Sequence, residues 1–291
     1  MMAMRIEEKI IKARTLVEAL PYIKKFKGQS MIIKYGGSLM VDDNLRHMFA
    51  ADVALLKYVG INPIIVHGGG KEISKWMNKV GKEAVFIDGL RFTDVETMEL
   101  TEMVLSGKIN NALVSLINQH GGKAVGLSGK DGDLFIAKKI QSKTYQDLGL
   151  VGDIEAVDCT LLDTLSEKGY IPVISSVARS QEGESLNMNA DHVAEGIGAA
   201  MQAEKVIYLT DVPGVLIEGE LVERLTLTQA EALLSHPDIK GGMIPKLTCS
   251  IEALKGGVNC VHIINGGIEH AVLLEVFTDV GIGTMITQDV V

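Results

Sequence analysis

An excess of positive charge is missing from this chain: 28 Lys and Arg face 37 Asp and Glu, leaving a formal charge of −9 over 291 residues. General attraction to nucleic-acid phosphates or anionic lipid is therefore not its main mode of binding, and any anion must be held by a local site. Cysteines number only three, Cys159, Cys249 and Cys260, without Cys-x-x-Cys spacing. Neither a disulfide framework nor a zinc site is expected, and the thiols read as free and buried in a reducing cytoplasm. Only six residues are proline, which excludes Pro-rich and collagen-like chains. No apolar run reaches the roughly 18 residues of a membrane span. Glu7, Glu8, Lys9 and Lys12 interrupt any export-type apolar stretch near the start, so a cytoplasmic protein with no membrane or nucleic-acid partner is expected.

What the chain has is apolar residues, at 47%, and glycine, at 31 residues. Apolar content of that size excludes disorder, and the length suits one large domain or two lobes. Short β-rich runs, Met31 to Ile33, Pro63 to Val66, Lys123 to Leu127, Ile171 to Ile174, Val206 to Leu209 and Val261 to Ile264, alternate with helical patterns. Those patterns cover Leu45 to Val59, Val95 to His120, Asp191 to Ala203 and Leu227 to Leu234. Strands separated by helix-length segments predict an α/β three-layer sandwich with a mostly parallel central sheet. Residues 144–158 read as a hairpin beside it, and a weak lobe boundary falls near Ala203. Ahead of the first strand, Ile6, Ile10, Ala13, Val17 and Leu20 recur three or four apart. They mark one face of a helix that ends near Pro21 and packs on its own domain or on another subunit.

Thirteen of the 31 glycines fall in six uninterrupted runs, at 36–37, 68–70, 121–122, 241–242, 256–257 and 266–267. At least four of these follow an apolar strand, where a glycine turn into a helix aims backbone N–H groups at an anion. The two familiar nucleotide patterns are absent: no G-x-x-x-x-G-K-[ST] loop occurs, and no G-x-G-x-x-G follows a strand with an acid about 20 residues on. Protein-kinase signatures are absent too. Phosphate chemistry here requires another architecture.

Six segments carry a resemblance: Ile32 to Ser38 (IIKYGGS), Val66 to Gly70 (VHGGG), Asp88 to Thr93 (DGLRFT), Leu186 to Asp191 (LNMNAD), Leu209 to Gly214 (LTDVPG) and Gly241 to Lys246 (GGMIPK). In order and spacing they resemble the acetylglutamate kinases of the amino acid kinase family, over essentially the whole chain. The resemblance implies transfer of the γ-phosphoryl group of ATP, with Mg²⁺, to the side-chain carboxylate of N-acetyl-L-glutamate, the second step of arginine biosynthesis. A carboxylate is already ionised at neutral pH, so such a reaction needs no general base and rests on positioning and charge stabilisation.

By the same resemblance Lys34 faces the transferring phosphoryl group, Lys246 the leaving side, and Asp191 lies between and orients them. Gly69 and Gly70 offer N–H groups to the acid substrate, Arg91 grips its α-carboxylate and Asn187 reads its acetamido group. Gly36 and Gly37 face the phosphoryl group, while Thr210, Asp211, Gly214, Gly241 and Gly242 line the ATP side. Magnesium is expected on nucleotide oxygens and water, with no protein ligand. His67 reads as a structural turn residue, and Lys71 stands where the family often has proline.

Arginine-inhibited members carry a helix before the Lys-Tyr-Gly-Gly strand and use it to interlock dimers into a hexamer. Here residues 1–26 correspond to that helix, with Tyr22 near its end. His262, Glu275 and Gly281 match the region that binds L-arginine, although Asn265-Gly266-Gly267 replaces the usual Asp-Gly-Arg. Residues 27–203 then form the acetylglutamate lobe and residues 204–291 the ATP lobe with the regulatory region. Some family members also bind PII-type nitrogen-signalling proteins, a partnership the sequence leaves undecided. Two other readings remain open: a sister enzyme such as aspartate kinase or glutamate 5-kinase, and a non-catalytic arginine-sensing assembly.

Overall fold

The computed structural model describes residues 6–141, 147–279 and 281–289. Helices α1 (Ile6–Glu18) and α2 (Leu20–Phe26) lead into β1 (Ser30–Tyr35), followed by a 3-10 turn (Gly37–Met40), α3 (Asp43–Tyr58) and β2 (Asn62–His67). Next come α4 (Gly70–Lys79), a hairpin of β3 (Phe86–Ile87) and β4 (Leu90–Arg91), α5 (Val95–Glu102), a π-helical turn (Met103–Ile109), α6 (Asn110–Gln119) and β5 (Ala124–Ser128). The middle holds β6 (Phe135–Gln141), β7 (Asp147–Val157), α7 (Thr160–Glu167), β8 (Ile171–Ser175), β9 (Val177–Arg179), β10 (Ser185–Met188) and α8 (Ala190–Ala200). The last third runs β11 (Lys205–Thr210), β12 (Leu216–Ile217), β13 (Glu220–Leu221), β14 (Arg224–Thr226), α9 (Leu227–Leu233), α10 (Met243–Lys255), β15 (Cys260–Asn265), α11 (Ala271–Val276) and β16 (Thr284–Thr287).

The central sheet has the order β14-β16-β15-β11-β1-β2-β8-β5. Every neighbouring pair in it is parallel except β15 with β16. Side chains alternate across such a sheet, and both faces are covered. Along β1, Ile32 joins Ile64, Val206 and Val261 in the core under α8 and α10, whereas Met31 and Ile33 join Ile65, Val173 and Ile207 under α3, α6 and α11. This is the expected α/β sandwich with an N-terminal helix.

Three local expectations are corrected. Pro21 does not end the first helix: α1 stops at Glu18, and the proline sits in the first turn of α2, where a missing N–H costs no helical bond. The stretch from Val95 to His120 is three consecutive helical pieces, because the backbone widens into a π turn at Met103–Ile109. Of the segment 144–158, residues 144–146 lie outside the described residues, and β7 is a single strand whose antiparallel hairpin partner is β6. With β9 and β10 these two form a small four-stranded unit closed on itself.

A close backbone contact ties this unit to the hairpin that carries Arg91. Thr93 N–H donates to Leu148 O at 3.0 Å, and Leu150 N–H donates to Thr93 O at 2.6 Å. Gly149 between them has φ +71°, and a Cβ there would collide with Thr93 O. Both the left-handed backbone and the contact call for glycine. Gly149→Ala should therefore lower unfolding free energy by roughly 1–3 kcal/mol, measured as a reduced urea midpoint; an unchanged midpoint contradicts the packing described.

Candidate active site

Strand register brings the glycine turns together. Tyr35 of β1 pairs with His67 of β2, and His67 with Ser175 of β8, so the loops after these strands open at one edge of the sheet. The cleft there has a volume of about 440 Å³, and Lys34, Gly36, Gly69, Gly70, Arg91 and Asn187 line it. Leu105, Ile109 and Val151 supply an apolar wall.

Behind Lys34 of the cleft wall Asp191 opens α8, held there by Asn189, whose side chain accepts the Asp191 N–H at 2.9 Å. Lys34 Nζ lies 2.8 Å from Asp191 Oδ1 and Lys246 Nζ 3.2 Å from Oδ2. The Lys34 contact is an ion pair off the hydrogen-bonding direction, while Lys246 donates a hydrogen bond. Burial by itself would raise the Asp191 pKa, but the charges of the two lysines outweigh it and hold the carboxyl below its ordinary value. An ionised acid thus sits between two cations at the end of a cleft. Gly36 keeps the space clear, since a Cβ on it would stand 2.9 Å from Lys34 Nζ.

Arg91 is a buried cation on the cleft wall, 6% exposed. Its Nη2 donates to Gly70 O and Ser74 Oγ, both at 2.8 Å, and its guanidinium packs over the Phe86 ring. Burial lowers its pKa, with no offsetting carboxylate nearby among the described residues. It stays charged all the same, and a desolvated guanidinium without an acid partner facing a cleft is a receptor for a carboxylate. Asn187 Nδ2 donates to Thr93 Oγ1 at 3.2 Å, and Thr93 Oγ1 donates to Arg91 O at 2.8 Å. Thr93 thereby aligns the two cleft residues, a role invisible in its sequence neighbourhood.

Gly69 has extended backbone, and what demands glycine there is space: a Cβ would collide with Ile109 and stand 2.7 Å from Leu105, both in the π turn. Gly70 begins α4, whose first N–H groups have no helical partner. Gly37 begins the 3-10 turn after β1. His67 is fully buried, with Nδ1 3.0 Å from Gly68 O and Nε2 3.1 Å from Asn110 Nδ2, and burial lowers its pKa to about 4. It is a neutral packing residue at the strand end.

The remaining residues singled out from the sequence do not line this cleft. Thr210 closes a turn after β11, its Oγ1 donating to Val212 O at 2.8 Å, and Asp211 follows it. Gly214 packs against Thr284, and Gly241, at φ +56°, and Gly242 precede α10 beside open space. Lys246, in the first turn of α10, links that side to Asp191.

His262 and Glu275 meet elsewhere, beneath α2. His262 Nδ1 is 2.5 Å from Glu275 Oε1, and Glu275 Oε2 accepts the Ile282 N–H at 2.8 Å. A Cβ on Gly281 would strike the Glu275 carboxylate. Tyr22 donates to Asp279, and Val280 lies outside the described residues. The structure adds Lys205, whose Nζ is 2.7 Å from His262 Nε2 and 5.2 Å from the centre of the Phe26 ring. Sequence reasoning passed over Lys205 because a lysine opening a strand reads as solvated, whereas here it is 6% exposed. Arg46, Glu72, Lys108, Ser176 and Asn189 at the cleft were passed over too. For Asn189, adjacency to Asp191 was the available signal.

Comparison with known proteins identifies the family. Residues 29–265 match the model of the amino acid kinase family. A protein of Syntrophobacter fumaroxidans named acetylglutamate kinase is 50% identical over 289 residues, 96% of this chain and 97% of the relative. One of Kosmotoga olearia with the same name is 53% identical over 273 residues, 94% and 96% of the two chains. Among solved structures, N-acetylglutamate synthase from Neisseria gonorrhoeae, complexed with coenzyme A and N-acetyl-glutamate, superposes with a TM-score of 0.86 at 26% identity. That match covers 96% of this chain and 64% of that longer one. The chain belongs to the amino acid kinase family, in which relatives named acetylglutamate kinase share half its residues over nearly its whole length.

Proposed function

We propose that this protein transfers the γ-phosphoryl group of ATP to the side-chain carboxylate of N-acetyl-L-glutamate, giving N-acetyl-L-glutamyl 5-phosphate and ADP. The observation that carries the reading is the Asp191 carboxylate between Lys34 and Lys246 at the end of a cleft. Two anions must approach for this reaction, so the barrier is chiefly electrostatic and positional. Lys34 faces the transferring phosphoryl group, Lys246 the leaving side, and Asp191 keeps both ammonium groups in place without accepting a proton. Arg91 binds the α-carboxylate of the acid, Asn187 its acetamido group, and the N–H groups of Gly69 and Gly70 its reacting end. Backbone N–H groups at Gly36, Gly37, Gly241 and Gly242 face the phosphates, while Thr210, Asp211 and Gly214 border the adenosine.

Among the described residues no three His, Cys, Asp or Glu side chains converge as a metal site. A Mg²⁺ ion carried by phosphate oxygens and water would, when bound, neutralise charge on the β- and γ-phosphoryl groups. Residues 27–203 act as the acid-binding lobe and residues 204–291 as the nucleotide-binding lobe.

The cluster of Lys205, His262, Glu275 and Gly281, with Tyr22 above it, is the reading's regulatory site. Glu275 supplies a carboxylate for a guanidinium and Lys205 a cation for an α-carboxylate, a pairing suited to L-arginine. Ile6, Leu16 and Val17 leave α1 with an exposed apolar face, which supports packing of residues 1–26 on another subunit in a hexameric ring.

A hydroxamate assay tests substrate and reaction together: ATP with N-acetyl-L-glutamate should give acetylglutamyl hydroxamate, and signal with aspartate or glutamate instead rejects the assignment. Lys34→Ala and Lys246→Ala should each lower kcat by about 10²-fold or more while the circular dichroism spectrum stays native. Arg91→Lys should raise the KM for acetylglutamate by about tenfold and leave the KM for ATP nearly unchanged; equal effects on both contradict its role. A chain lacking residues 1–26 should sediment as a dimer and turn over at the same rate with and without arginine, whereas an arginine-inhibited hexamer rejects the regulatory reading.

A further inference from the structure

We infer that His192 is a positioning residue for the two-lysine cluster: its ring ties α8 to β7 and so fixes Asp191 between Lys34 and Lys246. The inference rests on the phosphoryl-transfer role proposed for that cluster. His192 directly follows Asp191 on α8, and a step of one residue turns its side chain about 100° away. Its Nδ1 lies 3.1 Å from Asp153 Oδ1 on β7. Helices α8 and α10 are joined there by Asp191 with Lys246.

The Asp153 contact reaches the acid side of the cleft. Asp153 Oδ1 also accepts the Ile154 N–H at 3.0 Å, which fixes the carboxylate to its own strand. Gly196, one turn beyond His192, lets α8 lie directly on Ile154. β7 in turn pairs with β10 through Val151 and Asn187, and both of these residues line the cleft. One ring thus connects the strand beside Asn187 with the helix that carries Asp191.

The groups facing His192 are Asp153 from β7, with Lys138 of β6 paired opposite it, Cys249 from α10, and Glu195 from α8 itself. Asp153 holds the imidazole pKa above its ordinary value against the opposing effect of burial. The side chains of His192 and Asp153 are 35% and 40% exposed. An ion pair that exposed adds at most about 1 kcal/mol to stability, whereas misplacing reacting groups by ~1 Å can cost about 10²-fold in rate. Alignment, not stability, is where the clamp has its effect.

The test uses the full chain with His192→Ala, His192→Asn and Asp153→Asn. Alanine should lower kcat by about tenfold or more, with both KM values and Tm nearly unchanged. Asparagine, whose amide donates from the Nδ1 position, should restore most of the rate. Independently of activity, NMR of the ¹³C-methylated lysines should show the Lys246 signal shifting in His192→Ala while that of Lys255 stays. In the native chain the His192 ring signal should remain that of the protonated form from about pH 6 to 9, and in Asp153→Asn it should titrate nearer the ordinary imidazole range. A kcat for His192→Ala within about twofold of native, asparagine no better than alanine, or an unmoved Lys246 signal overturns the inference. No acetylglutamyl phosphate from the native chain defeats the reaction reading instead, and the lysine spectrum then still judges the clamp.

Discussion

The Asp191 carboxylate between Lys34 and Lys246 is the contact on which the rest of the architecture converges. Its three members come from the first strand of the central sheet, from a helix near residue 190 and from a helix near residue 245, so they meet only when the whole sandwich is assembled. Two lysines facing one small volume repel each other, and a buried acid without cations would take up a proton. Together they remain charged, and a field of net positive sign is left at the end of a cleft that must accept anions. Each strand and helix can be understood by what it contributes to holding those three groups in register.

Register does most of that work. The central strands end level with one another, so their glycine turns open on one side, and glycine has a different effect at each position. At Gly69 the effect is room beside Leu105 and Ile109, at Gly36 it is room beside the Lys34 amine, and at Gly149 it is both backbone conformation and contact with Thr93. The last of these lies in neither turn, yet it anchors the hairpin from which Arg91 enters the cleft. The net charge of −9 belongs to the chain as a whole, and the cleft, with Lys34, Arg91 and Lys108 on its walls, is its local exception.

The second polar cluster has the same logic at a different place. Lys205, His262 and Glu275 are held between β11, β15 and α11, with Phe26 of α2 beside Lys205. Lys205 Nζ and Glu275 Oε1 meet the two ring nitrogens of His262, so the histidine bridges the two side chains. That cluster lies beneath α2, next in the chain to the exposed apolar face of α1.

Much of this was legible in the amino-acid order. Six core strands follow from short β-branched runs, and the parallel sandwich follows from their alternation with helices, because both are local patterns of apolar spacing. Lys34, Asp191, Lys246 and Arg91 stood out through their adjacency to glycine turns and through their motifs. The π turn at Met103–Ile109, the restart of the helix at Pro21 and the pairing of β6 with β7 were not legible, since each depends on what packs against the segment. Likewise Lys205 and Thr93 look ordinary in their own neighbourhoods and acquire their roles only from residues distant in the chain. The sequence by itself determined which residue types are present and which local elements they favour. Tertiary structure alone decided which charges are buried together, because burial and ion pairing depend on distances that only the assembled sheet and its helices fix.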